Sequence, residues 1–264
     1  MPQDGAQNPS HYWLFTRKNT DTLSFIVKEF RTERFDLSAG NDIQSSLSLK
    51  AVFLSAATIL QRCFADILDI DPREIEFANP EIATININGG LYQTFQVTFY
   101  DSHDNGSGYV KRIKELMLAE TTNLHGFIST SRYYDSIVSQ EHQVTCKSGS
   151  CYKCIRTYEN SMLHGLLDWR LGLDLIRFMG NPNYRINFAE FANYVLSTLS
   201  NSGYGVNVVE DNNGNSSVSV TLDGTPKYIV THPMARFDTS NFKAYNPSFE
   251  GTEAIDFYKL MLIS

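Results

Sequence analysis

No stretch of this 264-residue chain is a run of lysine and arginine, and the whole carries 22 basic against 29 acidic side chains, a formal net charge of -7. Affinity for phosphate backbones comes largely from Lys and Arg, so an acidic chain touches nucleic acid only through a local basic patch or a basic partner. The opening "MPQDGAQNPSHYW" has no apolar segment behind a basic start and does not read as a secretory signal. No apolar run of about 18 residues stands out as a membrane helix. The expected location is therefore the cytoplasm, where thiols stay reduced and a tight cysteine cluster favours a metal over a disulfide. There is also no G-x-x-x-x-G-K-[ST] and no Asp-Glu-x-His box, so the chain is not itself a nucleotide-driven motor.

What is present is apolar material enough for one large or two small cores, 42% hydrophobic and 12% aromatic residues spread along the length. Residues 1–11 read as a flexible leader. "TLSFI" has strand chemistry, and Ile43 to Leu68 has helical periodicity, with Leu49, Val52, Phe53, Ala56, Ile59, Leu60, Cys63, Phe64 and Ile67 on one broad face and Ser55, Arg62 and Asp66 opposite. "ATINI" and "QTFQVTFYD" flank Asn88-Gly89-Gly90 as a hairpin. Helices are expected from Tyr109 to Glu120, over residues 161–179 up to Gly180 and Pro182, and from an Asn187 cap to about Leu199. Beyond these come two strands around a polar turn, a strand at "KYIVTH", and a terminal segment whose length does not decide between helix and strand. The fold class is α/β or α+β, a mixed sheet with packed helices. A soft division near 180–186 separates residues 12–180 from a C-terminal α+β extension, 181–264, packed on the first as one unit.

Three of the four cysteines lie in nine residues: Cys146, Cys151 and Cys154, spaced C-x4-C-x2-C. A C-x2-C knuckle points two sulfurs at one ion, and a structural zinc takes four such ligands in a tetrahedron. The fourth ligand has three candidates. Cys63 lies on the apolar face of its own helix, where a small buried residue is ordinary. His142 precedes the cluster by four residues. His164 follows it on the 161–179 helix, where Asp168 at i+4 could accept a bond from one ring nitrogen while the other binds metal. The expected zinc set is Cys146, Cys151, Cys154 and His164, with His142 the alternative. The apolar residues of that helix form two arcs, one with Met162, Trp169, Leu173 and Ile176, the other with Leu167, Leu171, Leu175 and Phe178.

The stretch "CKSGSCYKCIRTYENSMLHGLLDWRLGLDL" resembles the zinc-binding domain of MrfA-type DNA repair helicases, in the version carried by the DrmB-like subunit of the DISARM anti-phage system. "TDTLSFIV" and "VTFYDSHDNGSGYVKRI" fit the opening strand and the strand-to-helix glycine loop of that family, and residues 181–264 match only through "YIVTHPM". The resemblance implies a zinc-stabilised accessory subunit of a DNA-targeting defence or repair complex, docked on a superfamily-2 helicase and helping to position DNA. It also implies four cysteines at many such zinc sites, where this chain lacks the fourth.

Asp101, His103 and Asp104 precede Gly106, Gly108 and a helix. Carboxylates with a histidine can hold a divalent ion or move protons, so a metal-dependent nuclease or phosphodiesterase using these residues with His164 and Asp168 is the rival reading. The plainer account is a tight turn whose acidic groups suit a helix N-terminus. Lys111, Arg112 and Lys114 offer a local basic patch for nucleic acid or a solvated helix face. Tyr12–Trp13 and Tyr133–Tyr134 could stack bases or fill the core. A protein-binding scaffold without DNA contact is the third reading.

Overall fold

A computed structural model of the chain describes residues 19–27, 36–37, 43–87, 89–119, 123–181, 183–199, 204–210, 216–222, 224–236, 239–258 and 260. The leader 1–11, Tyr12 and Trp13 fall outside these. The longest strand, β4 (Gly90–Asp101), organises the first sheet. On one side it pairs with β1 (Thr22–Ile26); on the other its first half pairs with β3 (Glu81–Ile87) and its end with β2 (Ile75–Phe77), all antiparallel. Period-2 alternation places Phe95, Val97 and Phe99 on the buried face.

That face rests on α1 (Ile43–Leu68), with Phe53 against Phe95 at 5.6 Å and Phe64 edge-on to Phe99 at 5.3 Å. The helix bounds match the sequence periodicity, but the expected polar side does not: Ser55 is fully buried, as is every residue from Ala51 to Leu60. The reason is a second partner. The helix α6 (Trp169–Gly180) packs on the side opposite the sheet, and a Cβ at Gly172 would come within 2.8 Å of Ile59 Cδ1 and of the Ser55 backbone. Glycine therefore sets the closeness of the α1–α6 crossing, and Ser55 is satisfied inside it by donating to Ala51 O at 2.7 Å and accepting from Asp168 N at 2.9 Å. Leu47–Leu68 does reach the length and hydropathy (1.5) of a membrane span, contrary to expectation, yet 72% of that window is buried inside the protein, which makes it a core helix.

Along the chain between β4 and α6 come α2 (Tyr109–Ala119) and the short helices α3 (Leu124–Ile128), α4 (Arg132–Val138) and α5 (Gln140–Thr145). After α6 comes α7 (Phe188–Leu199), opened by Asn187 Oδ1 accepting from Glu190 N as the sequence predicts. A second sheet follows in the order β5 (Gly205–Glu210), β6 (Ser216–Leu222), β7 (Thr225–Thr231), β8 (Glu253–Asp256), antiparallel except for the parallel β7–β8 pair. The terminal segment thus begins as a strand. Val218, Val220 and Val230 join the main core, while Ile229, on the other face of β7, packs with Phe242 of α8 (Thr239–Tyr245) and Phe249. Packed helices with one antiparallel and one mixed sheet are the α/β or α+β class expected. Ser48 of α1 donates to Asp256 Oδ1 at 2.6 Å, and Asp174 of α6 meets His232 Nε2 at 3.1 Å.

Candidate metal centre

Three capped helices deliver the first ligand. Asn123, Ser131 and Ser139 each turn a side-chain oxygen onto the orphan amides of α3, α4 and α5, so the chain folds back in short helical steps. Ser139 both ends α4 and opens α5, and this tight corner brings His142 under the last turn of α4. There His142 Nδ1 bonds the Ile137 carbonyl at 2.9 Å. A carbonyl only accepts, so Nδ1 carries the proton and Nε2 keeps its lone pair, the arrangement of an outer-shell-oriented metal ligand. The ring sits edge-on to Trp169, with centroids 4.9 Å apart. Burial holds the imidazole below its ordinary pKa against the Ile137 bond, and the Arg170 charge adds to the lowering.

Cys146 caps the same helix, its amide donating to His142 O at 2.8 Å. The chain then makes the knuckle: Cys151 N donates to Cys154 Sγ at 3.1 Å, while Cys154 N and Arg156 N both reach Cys151 O. The ligand atoms of His142, Cys146, Cys151 and Cys154 all lie within 4.8 Å of one another. Cys151 and Cys154 sulfurs are 3.4 Å apart, Cys146 and Cys154 sulfurs 3.9 Å, and Cys151 Sγ is 3.9 Å from His142 Nε2. Ligands at roughly 2.3 Å (sulfur) and 2.0 Å (nitrogen) from a tetrahedral ion define edges of roughly 3.5–3.8 Å. These three edges are within about 0.4 Å of such an ion's, and the remaining ones, none longer than 4.8 Å, would close on it.

Electrostatics agree with the geometry. Burial pushes the Cys146 and Cys154 thiols up; burial also raises Cys151, but bonds from its two neighbouring thiols and from the Lys153 and Cys154 amides bring it below its usual value. Three sulfurs packed this closely hold little negative charge alone, and a divalent cation is what makes them thiolates. The protein offers four candidate ligands, with His142, Cys146 and Cys154 buried, as a closed structural site would require.

The surroundings fix the knuckle from three sides. Tyr133 donates to Cys154 O at 2.9 Å, and Arg62 of α1 donates to Arg156 O at 3.2 Å. Arg170 of α6 donates to Cys146 O at 3.1 Å and Ser148 O at 3.3 Å, its guanidinium lying 4.3 Å from the Trp169 ring centroid and 4.4 Å from that of Tyr194. Trp169 N donates to Gly149 O at 2.8 Å.

The structure thus corrects the fourth ligand: His142 stands beside the sulfurs, and His164 does not. His164 Nε2 is 2.9 Å from both Thr157 O and Asn160 Oδ1, closing the loop after the knuckle. The expected 161–179 helix is two pieces, a 3-10 turn (Ser161–Leu166) and α6, separated at Leu167 and Asp168. Asp168 is the cap of α6, with Oδ1 accepting from Arg170 N at 2.9 Å; its Oδ2 makes no hydrogen bond of good geometry, and burial pushes its pKa up against the opposing pull of the Arg170 charge and the neighbouring Tyr194 hydroxyl. It makes no bond to His164. The break also releases Met162 from its predicted arc to 94% exposure, while the α6 members of both arcs are buried. Cys63 is buried on α1 as an ordinary core residue, its thiol pushed up by burial to about 12.

The acidic loop is a helix cap. Asp101 is buried, Oδ2 accepting from Gly108 N at 2.5 Å and Tyr109 N at 3.2 Å, Oδ1 from Val110 N at 3.0 Å. Gly108 turns at φ +80°, which lets its amide point back at that carboxylate. His103 pairs with Glu74 at 3.0 Å, and Asp104 is exposed with no hydrogen bond among the described residues. Among the described residues, the only cluster of three or more His, Cys, Asp or Glu ligand atoms is the one at His142, so the Asp101, His103, Asp104, His164 and Asp168 centre is not assembled. Lys111, Arg112 and Lys114 are exposed on α2, with Arg112 3.7 Å from Glu115. Tyr133 and Tyr134 are bonded inward, to Cys154 O and to His125 Nε2 at 2.9 Å, and serve the core. Comparison of the chain with models of protein families, with curated proteins and with solved structures gave no match.

Proposed function

We propose that this chain is a zinc-stabilised, non-enzymatic accessory subunit of a DNA-targeting assembly, working beside a superfamily-2 helicase. The observation that carries the zinc is the closed His142, Cys146, Cys151, Cys154 set, whose imidazole is already oriented through Nδ1 by the Ile137 carbonyl. Mixed thiolate and imidazole donors in a tetrahedron suit zinc over harder cations, which prefer oxygen. The ion would supply folding free energy by locking the knuckle to α5, with α1 and α6 held against its far side. No coordination position is left for substrate, so the centre has no catalytic step. The helicase and DNA parts of the reading rest on the resemblance of residues 146–175 to the helicase-associated zinc domain, with Lys111, Arg112 and Lys114 as the candidate DNA contacts on α2.

The test has two stages. Purified protein is assayed for zinc, and its melting temperature is compared before and after a strong chelator. One zinc per chain and a large drop on removal are expected; no zinc with an unchanged fold would sink the structural role. The protein is then added to a superfamily-2 helicase, and a change in DNA affinity or unwinding is expected. Binding to the helicase with no change in either points to a protein scaffold instead.

A further inference from the structure

Four of the ten most exposed large apolar side chains among the described residues sit within the short segment 144–162 that carries the knuckle: Val144 (61%), Tyr152 (67%), Tyr158 (86%) and Met162 (94%). Tyr152 lies between two metal ligands, Cys151 and Cys154, so its backbone is fixed by the centre. Its ring stands edge-on to His164 at 5.6 Å and 85°, and His164 in turn holds Thr157 O and Asn160 Oδ1. Asn160 also bridges Thr157 N and Ile155 O, so the turn that carries Tyr158 is tied at its base. His164, released from the metal, thereby clamps the segment bearing Tyr152 to the segment bearing Tyr158. Neither tyrosine hydroxyl has a hydrogen bond among the described residues.

The same segment reverses the charge of the chain. Residues 144–162 hold three basic side chains, Lys147, Lys153 and Arg156, against one acidic, Glu159, in a protein of net charge -7. Arg156 is spent on Ser150 Oγ at 2.8 Å, whereas Lys147 and Lys153 are exposed and have no ion pair among the described residues. Protein interfaces are enriched in Tyr and Met but depleted of lysine at their centres, so it is the two lysines that set this face apart from a protein-docking one. Open tyrosine faces beside unpaired lysines on a rigid support match a different partner, since bases stack on aromatic rings while phosphates meet cations.

We infer that the outer face of the knuckle is a single-stranded DNA platform, with Tyr152 and Tyr158 stacking on bases and Lys147 and Lys153 meeting the backbone. This rests on the DNA role proposed above and gives it a second surface, distinct from the basic face of α2.

The test is anisotropy of a short labelled oligothymidine with the zinc-loaded full chain and its variants, each matched to the parent in zinc content and melting temperature. Tyr152→Ala and Tyr158→Ala are each expected to weaken binding by roughly tenfold, and the Tyr→Phe variants to retain it, because the ring and not the hydroxyl carries stacking. Two phosphate contacts to a single strand predict a log–log salt slope of about -1.4. Tyr158→Ala, outside the ligand run, keeps the test readable if Tyr152→Ala loses metal. Unchanged binding in both alanine variants, with loss in Lys111→Ala/Arg112→Ala, would overturn the platform and leave the DNA role standing on α2. Absence of binding to single-stranded and duplex DNA alike would overturn both.

Discussion

The knuckle and the acidic loop are built from similar material: a short irregular segment beside a helix, with three or four side chains able to bind a metal. In the loop, both oxygens of Asp101 are taken by amides of Gly108, Tyr109 and Val110, and His103 turns away to Glu74. In the knuckle the backbone groups are satisfied by each other and by Tyr133, Arg62 and Arg170, which leaves three sulfurs and one imidazole nitrogen facing a common point. A carboxylate that completes a helix end is already coordinated, by N–H groups in place of an ion. A ligand set is available only where the local backbone has been satisfied by something else.

This contrast can be broken most forcefully at Cys154. Cys154→Ser should abolish zinc retention and lower stability by more than about 4 kcal/mol, read by metal analysis and urea unfolding. His142→Ala follows: zinc retention should fall by more than the roughly 10–100-fold typical of losing an outer-shell partner, as read by competition with a chromophoric chelator. If His164→Ala released the metal instead, the ligand assignment would be wrong; it should cost only about 1 kcal/mol and keep the zinc. On the other side of the comparison, Asp101→Ala should cost about 2–3 kcal/mol through three unsatisfied amides, with zinc content unchanged. Asp104→Ala, exposed and unbonded, should shift stability by no more than about 0.5 kcal/mol; a large effect there would reopen the loop as a working site.

Much of this was written in the sequence where periodicity is long. The stretch from about Ile43 to Leu68 carries enough turns for its helix and approximate bounds to be read, though the covering of its second side by α6 could not be seen without Gly172 meeting Ile59 and Ser55. The 161–179 segment misled because apolar spacing continues through a break. The signal for the break was Asp168 ahead of an apolar run, a capping residue at a helix start, and Gly165 before it. The three cysteines were legible from spacing alone. His142, the alternative ligand, lies four residues before Cys146, one helical turn, which puts both on the same side of α5. What no spacing could supply was the Ile137 carbonyl, an unpaired acceptor at the end of α4 that chooses the ring nitrogen.

The ligand set also differs from the rest of the core in how near its members are along the chain. His142 to Cys154 span thirteen residues, whereas β1 meets β4 across more than seventy and α1 meets Asp168 across 113. Closing a short loop is fast and entropically mild, while long-range strand pairing and helix docking come late. The ion can therefore be captured by a nascent α5 and knuckle before the sheet and α6 assemble. When α6 arrives, Arg170 and Trp169 close over the loop from Cys146 to Gly149. An ion bound here would then be expected to load before α6 docks, a sequence that stopped-flow refolding with and without added zinc would read.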